Sequence, residues 1–354
     1  MPGFGPPWAS VDRVVALACL VSFSLGTLPA RGDGGVPGPQ GSQVERGRYL
    51  ANGITRCFWC HSPLDDGNPA SPRPESLGSG DVLDDKKPVN APNLTPDPET
   101  GIGRWSDAEI VRAIREGIGR DGRRLRSDHP ATYYSVMTDG DAAAIAAYLL
   151  ALRSIRRALP RSAPARRASG ESVQAAVPPA EDATLRSTTS RGAYLAQLGE
   201  CRGCHTPTTR DGAPFRGMEW GGGRRFRVVK GVGIELDPDP SFTPAARAGA
   251  PSDSGLVASA NITRDPSGIA FYTEEVFLQT IRTGHVAGVR ALSAAMPWVF
   301  FRSMTDEDLR AIFAYLATLP PVRHRVSNFD PPTFCALCGR RHGLGELNSA
   351  SSIH

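Results

Sequence analysis

The chain sets two cysteines three positions apart with a histidine directly after them, and it does so twice: Cys57-Phe58-Trp59-Cys60-His61 and Cys201-Arg202-Gly203-Cys204-His205. C-x-x-C-H is the attachment signature of c-type haem. The spacing has a mechanical reason. Two thiols one helical turn apart can add to the two vinyl groups on one porphyrin edge, and the adjacent histidine projects from the same turn toward the iron. One such string is expected by chance roughly 0.003 times in a chain of this length. Two of them therefore imply two covalent haem c groups, one on Cys57 and Cys60 with His61 as proximal ligand, the other on Cys201 and Cys204 with His205.

An internal repeat surrounds the two motifs. Arg46-Gly47-Arg48-Tyr49-Leu50-Ala51 matches Arg191-Gly192-Ala193-Tyr194-Leu195-Ala196, and Asn93-Leu94-Thr95-Pro96-Asp97-Pro98 matches Asn261-Ile262-Thr263-Arg264-Asp265-Pro266. Further on, Ala113 to Gly117 corresponds to Thr280 to Gly284, and Met137-Thr138-Asp139 to Met304-Thr305-Asp306. The chain encodes one module twice. Each copy reads as a few helices joined by long loops, as expected where a flat cofactor supplies much of the core. Ser106-Asp107-Ala108-Glu109 is a capping box opening a helix that runs to Gly117, and Thr305 with Asp308 opens the last helix similarly. Leu309, Ile312, Phe313, Leu316 and Leu319 fall on one helical face, as do Ile145, Ala146, Leu149 and Leu152.

These two motifs, the Asn93 to Trp105 stretch with its partner from Asn261, and the closing Met-Thr-Asp helices together resemble a known family. They are similar to the cytochrome c subunits of membrane-associated bacterial dehydrogenases that oxidise alcohols, sugar acids and aldehydes, and to related soluble di-haem cytochromes c. The resemblance covers residues 44 to 325. It implies a mainly α fold of two tandem class I-like cytochrome c domains with long loops, at 44–154 and 188–325, separated by a Pro/Ala/Arg-rich linker at 155–187 and followed by a tail at 326–354. It also implies electron transfer from a dehydrogenase partner toward a respiratory-chain acceptor.

The family places an axial Met-Pro eight residues before the Met-Thr-Asp element. In the second copy this position is Met296-Pro297, which assigns Met296 with His205 to the second iron. In the first copy the same position reads His129-Pro130, so His129 becomes the candidate partner of His61. Met137 and an open sixth position are the alternatives. Methionine ligation raises haem potential relative to histidine, so electrons would run from copy one to copy two. A mixed pair of this kind also suits a di-haem peroxidase, for which Asp128 beside His129 is the one acid-base residue in reach.

The third cysteine pair, Cys335-Ala336-Leu337-Cys338, is followed by Gly339, with His342 four residues on. Without the adjacent histidine a third haem is disfavoured. A disulfide and a zinc knuckle, with His324 as the candidate fourth ligand, are the two readings. A redox or metal sensor built on this segment is a third function class.

Among 354 residues, 40 basic side chains stand against 36 acidic ones, and only Lys86, Lys87 and Lys230 are lysines. A net charge of +4, largely offset by four haem propionates, is too small and scattered for a nucleic-acid groove. Val14 to Leu28 is apolar or small and precedes Pro29-Ala30-Arg31. It is short for a membrane span and suits the apolar region of an export signal at 1–30, with a retained N-terminal anchor as the alternative. A periplasmic location follows, with peripheral membrane association as an option. Between His205 and Asn261 the second copy is 24 residues longer than the first. This insert carries Arg224, Arg225, Arg227 and Lys230 with Trp220 and Phe226, a pattern for a docking patch or a solvated β-hairpin arm.

Overall fold

Helix positions follow from local signals that recur in the two halves of the chain. The computed structural model describes residues 39–65, 71–84, 89–126, 129–160, 179–209, 213–229, 233–236 and 256–349, and these belong to one compact unit. The export segment, Asp128, Lys86, Lys87 and Lys230 lie outside the described residues, as does 161–178 of the linker. Among the described residues no helix is long and apolar enough to cross a membrane.

The first half runs α1 (Pro39–Asn52), α2 (Cys57–Cys60), α3 (Asp107–Glu116), α4 (Ala131–Tyr134) and α5 (Asp139–Leu150). The second repeats the series as α6 (Thr188–Leu198), α7 (Cys201–His205), α8 (Glu274–Thr283), α9 (Trp298–Phe301) and α10 (Asp306–Leu316). Ser106 and Glu109 form the full reciprocal capping box of α3. Thr305 accepts from the Asp308 amide at the start of α10, and Thr138 from the Asp141 amide at the start of α5. Neither aspartate returns its carboxylate to the cap; both reach elsewhere, as described below. Gly117 and Gly284 end α3 and α8 at φ 64° and 71°, in the left-handed region where glycine carries no Cβ penalty.

In each half the N-terminal and C-terminal helices cross at a glycine. A Cβ on Gly47 would lie 1.9 Å from the Ala144 carbonyl oxygen, and one on Gly192 would lie 1.8 Å from that of Ala311. Only glycine lets α1 approach α5, and α6 approach α10, this closely. The predicted stripes line the core: Ile145, Ala146 and Leu149 from α5, and Leu309, Ile312 and Leu316 from α10, are all buried. That core is shared, because one cluster holds Leu50, Phe58 and Ile145 together with Leu195, Met304 and Leu309.

The strands are short. β1 (Asp81–Asp84) pairs antiparallel with β2 (Val89–Ala91). In the long insert β3 (Arg225–Val229) is the centre of an antiparallel sheet flanked by β4 (Gly233–Leu236) and β5 (Leu256–Ala258). β6 (His285–Val286) pairs with β7 (Arg290–Ala291), and in the tail β8 (Ser327–Phe334) pairs with β9 (Arg341–Gly343). The described part of the insert thus forms a sheet, and the two aromatic residues singled out above are not exposed for docking. Phe226 and Trp220 are buried, the latter with its ring 5.8 Å from that of Tyr315.

Candidate haem-binding sites

Each attachment turn starts from a residue in the left-handed region, Arg56 at φ 39° and Glu200 at φ 58°. This sharp entry turns the chain out of α1 or α6 and presents the two cysteines one helical turn apart. Arg56 and Glu200 also pair with each other at 2.7 Å, while Arg56 donates to the Gly199 carbonyl at 3.2 Å. Burial alone would lower the Arg56 pKa; Glu200 more than compensates, so the guanidinium is held well above its ordinary value. The ion pair therefore stands between the two C-x-x-C turns as a fixed, mostly buried link.

The two candidate proximal histidines are held in the same way. His61 Nδ1 lies 2.8 Å from the Pro92 carbonyl oxygen and His205 Nδ1 lies 2.7 Å from that of Ala260. A carbonyl only accepts, so Nδ1 carries the proton and Nε2 keeps its lone pair. Burial lowers the pKa of both rings, which keeps that lone pair available. The carbonyls belong to the residues just before Asn93 and Asn261, and those asparagines are locked in turn. Asn93 Oδ1 accepts from the Thr95 amide and hydroxyl, as Asn261 Oδ1 does from Thr263. The Asn-x-Thr element of the repeat is thus the support for the proximal imidazole.

His129 and Met296 occupy equivalent loops. The amide of Ala131 donates to His129, and that of Trp298 to Met296, at 2.9 and 2.8 Å, each across a proline that opens the short helix α4 or α9. Buried Nδ1 of His129 has no hydrogen-bond partner. Desolvation first, and then the nearby His61 ring, lower its pKa to about 4. A neutral imidazole with its Nδ1 buried, close enough to His61 to feel its charge, fits an iron ligand. Met296 packs half-buried against the shared core. Met137 and Met304 take matching places inside that core, both essentially inaccessible, with amides bonded to the Tyr134 and Phe301 carbonyls.

Two contacts that the sequence did not single out join the halves at these sites. The Trp59 ring from α2 lies 5.9 Å from Phe300 of α9. In the reciprocal place Gly203 of α7 faces Tyr133 of α4 so closely that a Cβ would meet its hydroxyl at 2.0 Å. The C-x-x-C-H turn of each half thus packs on the loop of the other half that carries its candidate sixth ligand, Met296 or His129. Alignment of Trp59 with Gly203, large against small, is the signal that points to this.

The Cytochrome c family model matches residues 44–153. Residues 44–153 are a cytochrome c domain. The chain is also 28% identical to the cytochrome c subunit of a quinone alcohol dehydrogenase of Gluconacetobacter polyoxogenes, across 95% of this chain and 72% of that one. A fructose dehydrogenase cytochrome subunit of Gluconobacter japonicus is 28% identical over 81% of this chain and 55% of its own length. A diheme cytochrome c-type protein of Cereibacter sphaeroides is 28% identical over 75% and 85%. The cytochrome c domain carries Cys57, Cys60, His61 and His129, and its family implies covalent haem c. The second set of residues, Cys201, Cys204, His205 and Met296, lies beyond residue 153.

Proposed function

We propose that this protein is an exported di-haem c-type cytochrome that passes electrons from a dehydrogenase partner to a respiratory-chain acceptor. The observation that carries the reading is the matched pair of imidazoles. His61 and His205 sit beside identically spaced cysteines, and each is oriented by the carbonyl that precedes an Asn-x-Thr lock. The resemblance to dehydrogenase cytochrome subunits and to a diheme cytochrome supports the partner class and the count of two.

Haem c supplies one-electron iron chemistry at each site. Cys57 and Cys60, or Cys201 and Cys204, would attach it through thioethers, with His61 or His205 as an iron ligand. His129 as a further ligand would set the first centre at a lower potential than Met296 would set the second. Packing of Trp59 on Phe300 and of Tyr133 on Gly203 sets each attachment turn against the short α9 or α4 helix of the other half.

A spectroelectrochemical titration of the purified holoprotein tests this. Two one-electron waves are expected, and His129→Met should raise the lower one. A single wave would reject the two-site reading, and a lower wave that the substitution leaves in place would reject His129 as the ligand of the first site.

A further inference from the structure

Four buried side chains in the C-terminal part converge on one point: His324, Cys335, Cys338 and His342, whose candidate ligand atoms all lie within 4.8 Å of one another. His324 Nε2 is 3.4 Å from Cys335 Sγ, His342 Nε2 is 3.4 Å from Cys338 Sγ, and the two Nε2 atoms are 3.2 Å apart. A tetrahedral zinc with Zn–S of ~2.3 Å and Zn–N of ~2.0–2.1 Å requires N···N of about 3.3 Å and S···N of about 3.6 Å. The observed separations agree within a few tenths of an ångström.

The tautomers point the same way. His324 Nδ1 lies 2.8 Å from the Gly221 carbonyl oxygen and His342 Nδ1 lies 3.0 Å from that of Gly343. Both Nδ1 atoms therefore carry protons, and both Nε2 atoms present lone pairs to each other. Two acceptors at 3.2 Å repel unless a cation stands between them. Backbone outer partners on both rings are the usual arrangement around a metal-bound histidine. Cys335 and Cys338 are free thiols rather than a disulfide. They flank a tight turn closed by Gly339 at φ 67°, whose amide donates to the Cys335 carbonyl at 2.9 Å.

We propose that His324, Cys335, Cys338 and His342 bind one structural zinc ion that fastens the tail to the loop behind His205. Four protein ligands, all buried, leave no open position, as in a closed structural site, and an S₂N₂ set favours zinc among the divalent metals. Comparison of the two halves shows what the ion does. In the first half Arg157 donates to the Ser79 hydroxyl at 3.3 Å and the Gly80 carbonyl at 2.9 Å, and the Gly80 amide donates to the His61 carbonyl at 2.9 Å. In the second half the Gly222 amide donates to the His205 carbonyl at 2.8 Å, and His324 stands where Arg157 does, on Gly221. The backbone agrees: Arg157 N donates to Thr100 Oγ1 and His324 N to Ser267 Oγ. The guanidinium clamp of one half is replaced by an imidazole that shares a metal with the tail. Gly223, at φ 86°, leaves the space for that ring, since a Cβ there would come within 2.5 Å of His324 Cε1.

The test uses the full-length holoprotein, purified without a metal-affinity tag, with chain concentration taken from amino-acid analysis so that haem content does not enter. Elemental analysis should give one zinc per chain, and zinc-edge X-ray absorption should resolve two sulfurs at ~2.3 Å and two nitrogens at ~2.0 Å. Mercurial modification of the wild-type protein should release that zinc stoichiometrically into a chromogenic chelator. Metal-free protein with a Cys335–Cys338 disulfide by mass spectrometry overturns the proposal, as does copper or another metal in this site. A Cys335→Ser/Cys338→Ser variant should lose the zinc and keep the haem bands at both sites.

Discussion

Tyr49 donates its phenol to Asp308, 259 residues further along, at 2.6 Å, and Tyr194 donates to Asp141 at 2.8 Å in the reciprocal place. Each tyrosine belongs to the first helix of one half and reaches the start of the last helix of the other. There its oxygen also accepts from an amide, Thr305 N for Tyr49 and Thr138 N for Tyr194. The aspartates complete the pattern by pairing with an arginine of their own half, Asp141 with Arg46 at 2.8 Å and Asp308 with Arg191. Burial and then the Asp308 carboxylate push the Tyr49 pKa up to about 12, so it is a neutral donor at any working pH. The repeated Arg-Gly-x-Tyr string is thus read out residue by residue: an ion pair within the half, a helix crossing, and a bond across to the other half.

Removing one of these donors leaves a buried carboxylate short of a partner, which costs about 1–3 kcal/mol. Tyr49→Phe and Tyr194→Phe should each lower the free energy of chemical unfolding by that amount, with far-ultraviolet circular dichroism as the probe. No loss in either variant would show that these tyrosine bonds do not help to hold the two halves together.

The helix crossings make a steeper prediction. Gly47→Ala and Gly192→Ala place a methyl group inside a backbone carbonyl, so the helices must separate. Overpacking of this kind costs 1–3 kcal/mol or more, and the expected loss is at least ~2 kcal/mol in each. Gly217→Ala, with nothing within 4 Å of the added Cβ but a φ of 77°, is the control that separates packing from backbone strain.

Arg56 and Glu200 are both largely buried beside the attachment turns. Arg56→Met would strand the Glu200 carboxylate and should destabilise the protein by about 3 kcal/mol. It also removes a positive charge between the two sites, so both potentials should fall together. A shift confined to one wave would contradict the placement of this pair between them.

Acid titration addresses His129. Its pKa in the fold is depressed, so the neutral ring and the stability that depends on it are present above the unfolded value of about 6.5. They are lost as pH falls through about 4. The visible bands of the first site should hold from pH 7 to pH 5 and change only near 4. A transition near 6.5 would mean that the ring is in water.

Much of this was legible in the sequence, for reasons that differ by residue. Cys57, Cys60 and His61 were readable because their chemistry needs adjacency along the chain, and the Ser106–Glu109 cap because it is local. Aligning the chain with itself is what makes His129 a candidate ligand. The Thr305–Asp308 cap is there through the Asp308 amide, but its carboxylate goes to Tyr49, and no local pattern reveals a tyrosine 259 residues away. His324, 11 residues before Cys335, is the candidate fourth ligand by sequence, but only the fold brings it to the cysteines and shows that it stands where the first half has Arg157.

Haem c at two places in this chain can be read directly by intact mass spectrometry of protein matured with a cytochrome c assembly system, paired with a pyridine haemochrome spectrum. Two haems per chain that acid acetone does not extract are expected, both abolished by Cys57→Ala/Cys60→Ala together with Cys201→Ala/Cys204→Ala. One haem per chain, or haem that leaves with the solvent, would contradict haem c at two places.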